Sequence, residues 1–320
     1  MKVLVGISGG VDSSVAALIL KNAGHEVEGI MFNQVEEPDY SCEGSVCCGE
    51  SSVRRARMVA EQIGIHLHVV DLRKEFQEKI ISPTQASLDL GNQPAPCNSC
   101  NGKVRAPRLN HYAKVLECDA FATGHYFVND NGRIFRGKDT SKDQSYMVSR
   151  VRSSDLIRWL TPLGNMTKPE VREAAKEFNL VTASTPDSMS LCFAHKLNHK
   201  TRDVFDEAGR KLGVVEHSVA LGQRKNMCGF TALKVLPDSV IVGPGKVDCS
   251  TTEFVVDDFN WIADLKTDQQ IYAMTSSHGK AIPCTISGDK VSLSQPSLSS
   301  TGQVMAFYEG NQLLGSAVVV

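Results

Sequence analysis

Two sets of residues in this 320-residue chain have types and spacing that could do chemistry. The first is Gly6-Ile7-Ser8-Gly9-Gly10-Val11-Asp12-Ser13-Ser14, which directly follows the apolar run Val3-Leu4-Val5. Adjacent glycines let backbone approach a pyrophosphate, because no Cβ stands in the way. The amides and hydroxyls of Asp12, Ser13 and Ser14 would then sit at a helix N-terminus, where unpaired N–H groups and the helix dipole favour an anion. The pattern is neither the P-loop lysine motif nor the dinucleotide fingerprint. Read blandly, it is a capped β-to-α turn. The second set is sulfur: Cys97-x-x-Cys100 and, far downstream, Cys192. A CxxC pair suits zinc, a redox couple or an iron-sulfur cluster.

The elements that must position these residues alternate strand and helix. A strand over Val3–Val5, a helix from Val15, a second strand around residues 24–32, a helix over Ser51–Ile63 and a third strand over Leu67–Asp71 predict a doubly wound parallel sheet covered on both faces. Met31, at the end of the second strand, is a candidate for backbone contact with an adenine. Gly91–Pro96 breaks the pattern. A helix then runs from the Cys97 segment to about Leu116, and Ala120–Tyr126 forms a short strand closing on Gly124 and His125. Thr167 as N-cap, with Pro169 in the first turn, opens a helix whose apolar face is Val171, Ala174, Ala175 and Phe178. Past Phe193 the chain turns polar, and from about Val240 it carries short strands separated by Gly, Asp, Asn and Ser, as in a small antiparallel barrel. The expected division is 1–193 for the nucleotide-binding catalytic domain, 194–245 for a small central domain and 246–320 for a C-terminal antiparallel β-barrel.

Hydrophobic residues make up 42% and charged residues 22%, the balance of an ordinary globular protein. Without an apolar run of some 18 residues or a leader-like segment, a cytoplasmic protein with no membrane partner is expected. A net charge of -2 gives no global sign of a nucleic-acid partner, although basic residues cluster between Arg133 and Lys168. Ten cysteines in such a chain argue for thiol or metal chemistry rather than a disulfide scaffold. Cys118 and Cys284 lie in apolar contexts and read as buried small hydrophobes. The group Cys42, Cys47 and Cys48 lacks zinc spacing.

Taken in order, Ser8-Gly9-Gly10-Val11-Asp12-Ser13-Ser14, Cys97-x-x-Cys100-Asn101, Ala122-Thr123-Gly124-His125-Tyr126, Lys142-Asp143-Gln144-Ser145-Tyr146 and Asp187-Ser188-x-x-x-Cys192-Phe193 resemble the tRNA-uridine 2-sulfurtransferases, the 2-thiouridylase (MnmA) family of PP-loop ATP pyrophosphatases. The likeness continues through Leu163–Arg172, Gly222–Lys225, Phe259–Trp261, Gly302-Gln303 and Leu314-Gly315, and so spans nearly the whole chain. It implies an enzyme that uses ATP and Mg2+ to adenylate the C2 oxygen of the wobble uridine, position 34, in tRNAs for lysine, glutamate and glutamine. Sulfur then replaces that oxygen. By the same resemblance Gly6, Ile7, Ser8, Gly9, Gly10, Val11, Asp12, Ser13, Met31 and Gly124 contact ATP. Cys100 is the catalytic nucleophile, with its thiol pKa lowered by a helix start. Cys192 carries a persulfide supplied by a cysteine desulfurase or another donor, and Cys100 then attacks the persulfide after transfer or forms a disulfide with Cys192. His125, Lys142, Asp143, Gln144 and Gln303 match positions that touch tRNA, and Cys97, Asn98 and Ser99 match those around the target base.

Departures from the family bear on the mechanism. Cys97 stands where many members carry Asp, so Cys97, Cys100 and Cys192 supply three thiolates that could hold a 4Fe-4S cluster with one open iron binding hydrosulfide. The rival reading keeps the persulfide route, and a zinc site with His125 or an early cysteine as fourth ligand is a third. Gly102 and Ala106 replace a basic and an aromatic residue, and Met189 replaces a usual Gln. The 194–222 stretch is shorter than the family's central domain. Alternative functions are another adenylating PP-loop enzyme acting on tRNA, or a non-catalytic metal-thiolate module that binds RNA.

Overall fold

In β1 (Lys2–Gly6), Val3, Leu4 and Val5 are fully buried, and the strand ends where the glycine loop begins. A computed structural model describes residues 1–36, 50–187, 191–266 and 268–320; Cys42, Cys47, Cys48 and Met189 lie outside the described residues. These residues form two compact units, one of Met1–Lys79, Cys97–His195 and Asn311–Leu313, the other of Ile80–Pro96, Lys196–Gly310 and Leu314–Val320.

The first unit is built on β1, β2 (Glu26–Asn33), β3 (His66–Asp71), β4 (Ala120–Ala122), a hairpin of β5 (Phe127–Asp130) and β6 (Arg133–Arg136), and β7 (Trp159–Leu160). Its main sheet has the order β3-β2-β1-β4-β7, and every pairing in it is parallel. From β1 the chain winds outward through β2 and β3, then returns to place β4 on the other side of β1. The carboxyl ends of β1 and β4 are therefore a topological switch point, where doubly wound sheets bind ligands. α1 (Val11–Asn22) and α2 (Glu50–Ile63) turn Val15, Ala16, Ala17, Ala56 and Val59 onto the strands in one core with Val3, Val5 and Met31. Each large aliphatic side chain so buried is worth about 1.5–3 kcal/mol against exposure.

The cysteine-bearing helix begins at Pro96, runs through Cys100, passes through a π turn over Asn101–Arg105 and continues as α3 (Ala106–Val115). α4 (Lys168–Glu177) starts as its sequence predicts. Thr167 caps it in a capping box with Glu170, and Glu170 Oε2 accepts the Thr167 amide at 2.6 Å. Val171 and Ala175 are buried, but Phe178 is 49% exposed and does not share their face: it follows the last helical residue, where the backbone has left α geometry.

In the second unit, β8 (Arg202–Asp206), β9 (Lys211–Val215), β10 (Phe230–Val235) and β11 (Ser239–Pro244) form a mixed sheet of order β10-β11-β8-β9. The first three of these strands escape a sequence reading. They are short, β8 is half-buried beyond Arg202, β9 is exposed but for Val215, and β10 buries the adjacent Thr231 and Ala232, so no clean alternation shows. The remaining strands, β12 (Thr251–Trp261), β13 (Ile271–Met274), β14 (Ile282–Ser287), β15 (Lys290–Ser297), β16 (Val304–Glu309) and β17 (Gln312–Val319), form an antiparallel barrel. It closes through β12–β17, with Val256 opposite Val319 and Trp261 opposite Gly315. A side chain at Gly315 would meet the Asn260 carbonyl at 2.4 Å, which explains the glycine. Cys284 is buried in the barrel core and Cys118 in the first unit, as their contexts predict.

Candidate active site

The Gly6–Ser13 loop joins β1 to α1 at the switch point. Gly9 has φ +75°, and a Cβ there would lie 2.7 Å from the Ser52 carbonyl of α2. Arg55, also on α2, donates to the Gly9 carbonyl at 3.2 Å and to Ser52 Oγ at 2.9 Å. Ser13 Oγ accepts the Ser8 amide at 3.1 Å and donates to the Gly10 carbonyl at 3.2 Å, and Ser14 Oγ donates to the same carbonyl at 2.8 Å. The serines thus tie the loop to itself, while Gly10 at the N-cap contributes no side-chain acceptor for the first-turn amides of α1. Those amides are the groups an anion would use. Ile7 and Val11 are buried anchors of the loop, and Met31 is buried in β2, so only its backbone is suited to a polar ligand. Gly124 lies beside this site for a steric reason: a Cβ would come within 2.6 Å of the Asp12 carbonyl carbon and the Ser13 nitrogen.

Asp12 is tied into a charged network. Tyr126 donates its hydroxyl to Asp12 Oδ1 at 2.7 Å, and Lys168 Nζ lies 2.7 and 2.8 Å from the two carboxylate oxygens. Lys168 also pairs with Asp187 at 2.9 Å, and Asp187 further accepts from Lys142 at 2.9 Å and Arg172 at 2.6 Å. Burial works against ionisation of Asp187, but the hydrogen bonds from Lys168 and Lys142 hold its carboxyl well below the usual carboxylate range. Burial, then the Asp12 charge, pushes the Tyr126 phenol far above its ordinary pKa. Much of the mid-chain basic run is thereby paired: Arg133 with Asp130, Lys138 with Glu170, Lys142 and Lys168 with Asp187. Sequence reasoning missed Lys168, Arg172 and Tyr126 as members of the site. Their only signal is position, in Thr167-Lys168-Pro169-Glu170 and directly after Gly124-His125.

The thiols are positioned by a helix locked to the turn at residues 146–150. Asn98 Nδ2 donates to the Tyr146 carbonyl at 2.7 Å and to Ser149 Oγ at 3.3 Å, and Asn101 Nδ2 donates to the Met147 carbonyl at 2.9 Å. Gly102 is required by this packing, since a Cβ would sit 2.3 Å from the Arg150 carbonyl oxygen. Cys97 occupies the first turn and is exposed, Ser99 is half-buried, and Cys100 is buried a turn further in. The expected lowering of the Cys100 pKa is therefore overturned. Burial pushes its thiol up to about 11, opposed by the Arg105 charge and by Gln34, whose amide lies 4.0 Å from the sulfur. Negative charge on Cys192 or Cys97 would add to that rise. Cys192 is half-buried, and Phe193 anchors its segment edge-to-face on Phe76, with ring centres 5.5 Å apart. Neither Cys100 nor Cys192 is in a disulfide.

Three soft thiolates suit an iron-sulfur cluster by donor chemistry. Among the described residues, however, no three His, Cys, Asp or Glu side chains are gathered as a metal site, and Cys97 is exposed. The described residues thus form no preassembled cluster or zinc site, and the early cysteines expected as a fourth zinc ligand lie outside them.

The residues expected near RNA are placed as follows. His125 is half-buried, its Nδ1 2.8 Å from Thr123 Oγ1 and its ring edge-on to Trp159; burial, then the like charge of Arg105, lowers its pKa to about 3. Asp143 accepts the Gly137 and Ser145 amides and the Ser145 hydroxyl, and Gln144 Oε1 accepts the Tyr126 amide at 3.0 Å. These two side chains hold turns. In the second unit, Gln303 Nε2 donates to the Gln93 carbonyl at 2.7 Å.

Residues 1–196 match the family model described as the tRNA methyl transferase HUP domain, and residues 251–319 match the aminomethyltransferase beta-barrel domain. With the parallel sheet and the glycine-serine loop at its switch point, these define a PP-loop enzyme carrying a C-terminal barrel. A tRNA-specific 2-thiouridylase MnmA from Geobacter metallireducens is 34% identical over 351 residues, covering 98% of this chain and 95% of that protein. One from a Synechococcus strain is 33% identical over 353 residues, covering 99% and 97%. The chain belongs to the tRNA-specific 2-thiouridylase family and is a tRNA uridine sulfurtransferase. Among solved structures, the U34-tRNA thiolase NcsA from Methanococcus maripaludis with its [4Fe-4S] cluster overlaps 60% of each chain at 22% identity and a TM-score of 0.39.

Proposed function

We propose that this protein thiolates C2 of the wobble uridine, position 34, in tRNAs for lysine, glutamate and glutamine, using ATP with Mg2+. The observation that supports the reading is that one unit holds both the N-terminus of α1, which no N-cap side chain caps, at the switch point of the parallel sheet and the free thiols of Cys100 and Cys192. The Gly6–Ser13 loop, the Met31 backbone and the Gly124 turn form the ATP site, and Asp12 is the carboxylate suited to Mg2+. Uridine O2 attacks the α-phosphorus, the Pα–O bond to pyrophosphate breaks, and the N3 proton passes to solvent, to be taken up again when the thiolated base is released. A carbonyl oxygen is a poor leaving group, and adenylation converts it to one that departs as AMP.

Sulfur arrives as a persulfide on Cys192, loaded by a cysteine desulfurase or another donor. Its terminal sulfur attacks C2, the C2–O bond breaks, and AMP leaves with the electron pair. Cys100 then attacks Cys192 Sγ, which releases the thiolated base and leaves a Cys100–Cys192 disulfide for an external thiol to reduce. Cys97, Asn98 and Ser99 would border the target base, and His125, Lys142, Asp143, Gln144 and Gln303 would touch tRNA. Functionally the chain would divide as 1–193, 194–245 and 246–320 in a cytoplasmic enzyme. Among the described residues no helix is long and apolar enough to cross a membrane.

The test is a thiolation assay with ATP, Mg2+, unmodified tRNA and a desulfurase, read by mass spectrometry of the nucleosides and by mapping the modified position. It is run beside iron and acid-labile sulfide analysis of anaerobically purified wild type and Cys97→Ala. Thiolation at position 34 by iron-free protein, lost in Cys192→Ala, supports the persulfide route. About four irons per chain, lost together with sulfide-driven activity in Cys97→Ala, would replace that route with a cluster. Sulfur at another position would refute the substrate assignment.

A further inference from the structure

β2 leaves the sheet through Gln34, Val35 and Glu36, and these three residues touch both thiol-bearing segments of the first unit. Gln34 is buried, and its side-chain amide donates to Cys100 Sγ at 4.0 Å, the outer reach of an N–H···S hydrogen bond. Two residues on, the Glu36 carbonyl accepts from Nε2 of His195, which follows closely after Cys192, at 3.1 Å. The segment is itself fixed from behind. The Leu72 amide donates to the Asn33 carbonyl at 2.8 Å, Val35 is buried, and the Glu36 carboxylate lies 3.6 Å from Arg73. Phe76, in the same short helix as Arg73, carries the ring on which Phe193 packs.

A neutral thiol is a weak hydrogen-bond acceptor. When Cys100 attacks Cys192, its sulfur gathers negative charge in a buried place, where charge is costly unless a donor meets it. The same hydrogen bond then shortens and becomes roughly twice as strong. Gln34 brings that donor without adding a buried ion of its own. Arg105 is the cation that acts on Cys100, and its Nη1 donates to Asn101 Oδ1 at 3.1 Å, whereas negative charge on Cys97 or Cys192 opposes it.

We propose that Gln34 is a positioning residue for sulfur release, its Nε2–H orienting Cys100 Sγ and meeting the charge that this sulfur gathers as it attacks Cys192. The Cys100 proton passes to solvent and the Cys100–Cys192 S–S bond forms. The bond from Cys192 Sγ to the transferred sulfur breaks, and its electron pair goes to the thiolated base. The proposal rests on the persulfide reading of the two cysteines.

Oxidised glutathione, a small disulfide, reproduces the step in the full-length reduced protein without tRNA. Cys192 takes one glutathionyl group and releases reduced glutathione, and Cys100 then displaces the second at Cys192 Sγ. Peptide mass spectrometry after acid quenching gives the rate of each stage. Gln34→Met, similar in length and without a donor, should slow formation of the Cys100–Cys192 disulfide at least about tenfold, the loss of one charge-assisted hydrogen bond. Glutathione addition to Cys192 and ATP binding should stay within about twofold of wild type. Gln34→Glu, the same shape with an acceptor in place of the donor, should be no faster than Gln34→Met. A smaller effect in Gln34→Met overturns the proposal, and so does wild-type speed in Gln34→Glu, because shape rather than the donor would then be what counts. Loss of ATP binding and of Cys192 addition together with the disulfide step in both variants overturns it too, since Gln34 would then be a packing residue. Wild type that forms no Cys100–Cys192 disulfide refutes the persulfide reading itself and this proposal with it.

Discussion

Gly102→Ala tests whether the thiol-bearing helix is held as tightly as its contacts indicate. Helix propensity alone favours alanine by about 1 kcal/mol. Against that, the new Cβ would stand 2.3 Å from the Arg150 carbonyl oxygen and 2.9 Å from its carbon, both backbone atoms that cannot rotate aside. Clearing the contact to 3.0 Å requires a shift of about 0.7 Å, and overpacking of this kind costs about 1–3 kcal/mol. The same shift lengthens the Asn98–Tyr146 and Asn101–Met147 hydrogen bonds, now 2.7 and 2.9 Å, at about 1 kcal/mol each if lost. The steric terms win, for a net destabilisation of about 2 kcal/mol, or roughly 4–8 °C in the melting of a unit of this size. Thermal unfolding by circular dichroism checks it, with Gly213→Ala as control, because nothing lies within 4 Å of a Cβ at Gly213. A Gly102→Ala melt within about 1 °C of wild type would show that the helix is free to move and would refute the reasoning.

Thr167→Ala removes the cap of α4 and should cost about 0.5–1 kcal/mol, the low end because its bond to the Glu170 amide is 3.5 Å long; an unchanged melt would mean the cap is not used. Gly124→Ala should weaken ATP binding by calorimetry with little change in tRNA binding, since its Cβ would enter the backbone of Asp12 and Ser13; normal ATP affinity would remove Gly124 from the site. His125 has a folded pKa of about 3 against an ordinary value near 6.5, so the folded protein binds fewer protons between those limits. Its contribution to stability is complete above about pH 6.5 and is lost as pH falls toward 3, by at most about 1.4 kcal/mol per pH unit. Melts of wild type and His125→Phe at pH 7.5 and 5 should show the smaller acid-side loss in the variant, and equal losses would place the His125 pKa elsewhere.

Local chemistry was legible from residue order alone. Gly9 and Gly10 after a buried aliphatic strand, Thr167 with Glu170 three residues on, and Cys284 among strand residues each depend on neighbours within a few positions, where dihedral preference and periodicity act. The alternation of strand and helix, and the family likeness, were legible for the same reason. Three-dimensional packing decided what depends on distant partners. Cys100 was expected to be acidified by a helix start, but the helix begins four residues earlier and burial raises its pKa to about 11. Gly102 looked like a missing basic residue until the Arg150 carbonyl, 48 positions away, showed why no side chain fits. Lys168 lies 156 positions from Asp12, and no local pattern announces that pair. Charges and steric limits act through space, so the sequence by itself determined which groups this protein has to work with, and the fold decided which of them are neutralised, buried or left able to move.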